Sequence, residues 1–99
     1  MPLNEKQRRH LRALAHPLSP IILIGNAGLS AAVVTETERA LLDHELIKIK
    51  LRGPDRAARD AMLLTLAQRS GAQWVDRIGH VGVLYKAHPK LPRVQIPGD

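Results

Sequence analysis

The stretch Pro20-Ile21-Ile22-Leu23-Ile24-Gly25 limits the possible folds of this chain more than any other segment. An unbroken apolar run rich in β-branched residues, closed off by a proline and a glycine, is too short for a buried helix. It reads as a strand over Ile21–Ile24, covered on both faces and central or nearly so in its sheet. Gly25-Asn26-Ala27-Gly28 then makes a tight loop. Ser30 is placed to cap a helix whose stripe of Val33, Val34, Thr37, Ala40 and Leu41 faces inward, with Leu29 and Val34 spaced as a hydrophobic staple.

The remaining elements follow from the same signals. Asn4 with Gln7 three residues later forms a capping-box signature for a first helix ending near Ala15, its apolar side carrying Leu11, Leu14 and Ala15 and its opposite side Lys6, Arg8, Arg9 and Arg12. His16-Pro17-Leu18-Ser19-Pro20 breaks that helix, because neither proline can donate a backbone hydrogen bond. Leu46 to Arg52 alternates strictly, predicting a strand with Ile47, Ile49 and Leu51 buried and Lys48, Lys50 and Arg52 on a charged side. Asp55 caps a third helix over Arg56–Ser70, closed by Gly71, with Ala58, Ala61, Met62, Thr65 and Leu66 expected inside and Leu63 near the polar side. Gln73–Ile78 and Val81–Lys86 flank Gly79-His80 as an antiparallel hairpin, where Gly82 supplies a thin strand position.

The resulting order, α-β-α-β-α-β-β, is that of a single compact α/β domain with a mixed sheet packed by helices over residues 1–86. Residues 87–99 form a proline-containing extended tail in which only Arg93-Val94-Gln95-Ile96 has the pattern to dock. At 99 residues a second domain has no room for a core of its own. The absence of cysteine excludes a disulfide framework, a thiolate metal site and a cysteine nucleophile. Neither a membrane span nor a signal-peptide start is legible, so the expectation is a cytoplasmic protein with no membrane association.

Charge points to a partner. Fifteen Lys and Arg against nine Asp and Glu give a net charge of +6, which favours a polyanion. With no Phe, one Trp and one Tyr, the chain lacks the rings of a base-stacking sheet, so phosphate and sugar contacts must dominate. The Gly25–Gly28 loop suits them, since backbone amides and the positive end of a helix face one anion there. On its own the spacing is weak and fits a plain tight turn equally well. The alternating Lys48, Lys50 and Arg52 repel one another with no interleaved acid, which asks for either a partner or edge protection.

The ordered succession Ala15-His16-Pro17-Leu18-Ser19-Pro20, Gly25-Asn26-Ala27-Gly28-Leu29-Ser30, His44-Glu45-Leu46-Ile47-Lys48-Ile49-Lys50 and Ile78-Gly79 before Val83-Leu84-Tyr85-Lys86 resembles the CRM domain, which in bacteria stands alone as the YhbY-type RNA-binding protein. The resemblance implies a fold similar to the C-terminal domain of translation initiation factor 3. It also implies RNA binding through the GxxG loop, here Gly25, Asn26, Ala27 and Gly28, and association with ribosomal RNA of a large-subunit precursor. Many members place a cation inside that loop. Asn26 and Ala27 carry none, so neutralisation falls to Lys6, Arg8, Arg9 and Arg12 and to Lys48, Lys50 and Arg52.

Other constellations read as structural. The five histidines show no ligand spacing and no cofactor is expected; Trp74 reads as packing, and Glu36 with Glu38 as acidic residues favouring the start of the second helix. Neither a nucleophile elbow nor a Walker-type loop is present, so the chain reads as a non-enzyme. Two alternatives stay open: an enzyme binding a small phosphorylated ligand at Gly25–Gly28, and a basic protein–protein adaptor. Oligomeric state is open, with a monomer favoured.

Overall fold

The structure, a computed structural model, describes residues 2–98. Its elements are α1 (Glu5–Ala15), β1 (Pro20–Ile24), α2 (Ala31–His44), β2 (Leu46–Leu51), α3 (Arg56–Ser70), β3 (Gln73–Ile78) and β4 (Val81–Tyr85). Each helix starts where its cap dictates. Asn4 Oδ1 accepts from Gln7 N at 2.8 Å, and the Gln7 side chain accepts in return from Asn4 N. Ser30 Oγ accepts from Val33 N and Asp55 Oδ1 from Ala58 N. Gly71 ends α3 in the left-handed conformation.

The four strands lie in the order β1-β2-β4-β3. β1 and β2 pair in parallel across α2, and β4 pairs antiparallel with both β2 and β3. The first strand is therefore an edge strand, contrary to the expectation from its apolar run. Ile22 and Ile24 are buried, whereas Ile21 and Leu23 remain 49% and 48% exposed on the other face. Pro20 fits this edge position, because a strand paired on one side only can tolerate a residue without an N–H.

Two cores lie on opposite faces of the sheet. α2 and α3 cover one face through Val34, Leu41, Leu63, Leu66 and Ala67, which pack on Ile22, Ile24, Ile47, Ile49, Leu51 and Leu84. On the other face Leu3, Leu11 and Ala15 of the α1 segment pack on Leu46, Val75, Val83 and Tyr85. The charged side expected for β2 is thus half core: Leu46 is buried, Lys48 half-buried and Lys50 exposed.

α3 is rotated from the orientation its own sequence suggests. Leu63 is completely buried, while Ala61 and Thr65 face solvent. The cause lies in β4: a Cβ on Gly82 would sit 2.6 Å from Leu63 Cδ1, so the missing side chain is the notch into which Leu63 packs.

The tail is held down. Val94 and Ile96 pack against the α1-side core, Gln7 Nε2 donates to Pro97 O at 2.9 Å, and the amides of His88, Arg93 and Val94 donate to the fully buried Glu45 carboxylate at 2.9, 2.7 and 2.9 Å. No helix among the described residues is long and apolar enough to cross a membrane.

Candidate nucleic-acid interface

β1 delivers the chain to Gly25, where the loop closes through Gly28 N donating to Gly25 O at 3.0 Å. Gly28 has φ +84°, a region glycine enters at no steric cost. Gly25 is different. Its φ is not positive, and a Cβ built on it meets no atom within 4 Å. Neither backbone conformation nor packing requires a glycine there.

Among the described residues the amides of Asn26, Ala27 and Leu29 donate to no protein group. Ala31 and Ala32 open α2, where a first-turn amide has no intrahelical acceptor. α2 carries no acid in its first turn, because it begins at Ala31 and both Glu36 and Glu38 lie beyond that turn. The positive end of its dipole is therefore not neutralised from within the helix, unlike that of α1, which has Glu5.

The loop adjoins the end of β2. Arg52 N donates to Ile24 O at 3.0 Å, fixing the chain after β2 against the end of β1. Asn26, Lys50, Leu51, Arg52, Gly53, Pro54, Met62 and His80 line one cleft of about 550 Å³. Pairing places Leu23 beside Lys50, Lys50 beside Val81 and Val81 beside Ile78, so these four share one sheet face. The row crosses the whole sheet, with Leu23, Lys50 and Ile78 exposed and Val81 half-buried.

The other cations expected at the site are elsewhere. Lys48 Nζ donates to His16 O at 3.1 Å and Leu18 O at 2.9 Å, which ties the proline-bounded connector to the sheet. Arg12 pairs with Asp76 of β3 at 3.1 Å and with Glu5 at 3.7 Å, while Arg8 Nε donates to Trp74 O across a long 3.4 Å. Lys6 and Arg9 are exposed on the same helix. β3 is the edge strand opposite β1. The sheet therefore brings Gly25–Gly28 together with Lys50 and Arg52, and sets Arg8 and Arg12 of α1 over the far edge, three strand spacings or roughly 14 Å across. His80 was not among the residues expected at the site; only its place in the β3–β4 turn was legible, and the pairing of that turn with β2 brings it there.

Residues 3–86 match the CRS1 / YhbY (CRM) domain, and the chain belongs to that family. It is 38% identical to an RNA-binding protein of Haemophilus influenzae over 96% of this chain and 95% of that one. It is also 38% identical to a protein of Pseudomonas aeruginosa named a probable RNA-binding protein, over 91% and 86% of the two chains. A solution structure of a candidate RNA-binding protein from Staphylococcus aureus superposes with a TM-score of 0.85 at 28% identity, covering 96% of this chain and 99% of that one.

Proposed function

We propose that this chain is a non-catalytic RNA-binding module that holds the sugar–phosphate backbone at the β1–α2 loop, with Lys50 and Arg52 beside it. The observation that carries this reading is Gly25, a glycine that the fold does not need but that a close-approaching phosphate does. The unpaired amides of Asn26, Ala27 and Leu29, the un-neutralised start of α2 and the names of the relatives support it. Lys6, Arg8, Arg9 and Arg12 form a second basic stretch that only a longer RNA reaches. Family membership further supports ribosomal RNA of a large-subunit precursor as the target. Crosslinking in cells with sequencing of the attached RNA tests that part.

Gly25→Glu tests the loop. The new side chain has open space and an ordinary φ, so the denaturation midpoint stays near that of the parent. A carboxylate now stands where phosphate must approach, and the dissociation constant for single-stranded RNA rises about tenfold or more. A folded Gly25→Glu protein that binds RNA as the parent does would remove the loop from the mechanism.

A further inference from the structure

His80 sits in the β3–β4 turn and is fastened twice to the end of β2. Its carbonyl accepts from Leu51 N at 2.7 Å, and its ring Nδ1 lies 3.1 Å from Leu51 O. A carbonyl oxygen only accepts, so Nδ1 carries the proton and donates; in the neutral ring Nε2 is then left with a lone pair. His80 lines the same cleft as Asn26, Lys50 and Arg52. Lys50 and Arg52 bring donors only, as do the loop amides, and all of them suit phosphate oxygens. A phosphate oxygen is itself only an acceptor and has no use for the Nε2 lone pair. The group on a polynucleotide backbone that does is the ribose 2′-hydroxyl, which can donate.

We infer that His80 is the residue with which this cleft tells RNA from DNA, Nε2 accepting a hydrogen bond from the 2′-hydroxyl of a nucleotide whose phosphate is held by the loop and Lys50 or Arg52. This deepens the RNA-binding reading above and rests on it. Leu51 O fixes the ring's orientation, so the acceptor is presented without loss of rotamer freedom on binding. The charged residues that line the cleft with it are Lys50 of β2 and Arg52 just after it, and Arg77 donates to the neighbouring Gly79 O and is paired with Asp60 of α3.

The test compares matched ribo- and deoxyribo-oligonucleotides by fluorescence anisotropy, at about pH 8, above the range in which imidazole changes charge. The parent binds the ribo strand more tightly. His80→Ala and His80→Asn each reduce the RNA-to-DNA affinity ratio by roughly three- to tenfold, the worth of one hydrogen bond. Asn keeps an N–H near the place of Nδ1 and lacks Nε2, so recovery of the ratio by His80→Asn assigns His80 a purely structural role and overturns the inference. A parent without preference for RNA also overturns it. Gly25→Glu separates the two levels: if it loses RNA while the His80 variants keep the ratio, only the hydroxyl contact fails, and if it binds as the parent does, the loop reading itself fails.

Discussion

Gly82 and Leu63 decide how α3 sits on the sheet. Gly82→Ala puts a methyl 2.6 Å from two Leu63 methyl carbons on a fully buried side chain, and overpacking of this kind costs about 1–3 kcal/mol. Urea denaturation should show that loss. Leu63→Ala in the same chain vacates the space, so the double variant should lose less than the sum of the two single losses; strict additivity would mean the notch is not filled by Leu63. Glu45 makes the second residue-level prediction. Burial alone would push its carboxyl up, but the amides of His88, Val94 and Arg93 and the charge of Arg93 outweigh that and hold it below its ordinary value. A carboxyl depressed in the folded state contributes stability that is present above its unfolded value and lost as pH falls toward the folded one. Acidification below about pH 4.5 should therefore destabilise the parent more steeply than Glu45→Gln, and hydrogen exchange at Arg93 and Val94 should accelerate over the same interval. Equal slopes in the two proteins would contradict the clamp.

At the level of elements, local signals were legible and distant ones were not. The caps at Asn4, Ser30 and Asp55 and the closing Gly71 are set within three or four residues, and all four stand where the sequence places them. The rotation of α3 depends on a missing side chain in β4, and the burial of Glu45 on tail amides more than forty residues away, so neither is written in its own segment. The apolar run of β1 signalled a strand correctly and its position wrongly, because α1 covers the sheet over β2, β4 and β3 and leaves Ile21 and Leu23 bare. That the loop adjoins Lys50 and Arg52 follows from the parallel pairing of β1 with β2, whereas the separation of α1's arginines from them is a property of strand order. That separation has a consequence in salt. On single-stranded RNA each neutralised phosphate adds about 0.7 to the slope of log affinity against log salt, so Lys50→Gln with Arg52→Gln should flatten it by about 1.4. Replacing Arg8, Arg9 and Arg12 by Gln should flatten it less on a short RNA, since Arg12 is already paired with Asp76 and Arg8 is turned to Trp74 O. The reverse ranking would move the binding surface to α1.

The whole molecule divides by edge. At the β3 edge, α1 is pinned by Arg12 to Asp76 and by Arg8 to Trp74 O, and the tail closes the α1-side core through Val94 and Ile96. At the ends of β1 and β2, the unpaired loop amides and the start of α2 stand beside the cleft that Lys50, Arg52 and His80 line. A net charge of +6 draws a polyanion to the surface in general, and in the proposed reading this end of the sheet holds its backbone. Amide chemical-shift mapping of the isotopically labelled chain during titration with single-stranded RNA tests this most directly. The account predicts that the largest shifts fall on Asn26, Ala27, Leu29, Ala31 and Ala32, with Lys50, Arg52 and His80 beside them. Shifts confined to α1 and the tail, with the loop amides unmoved, would contradict it.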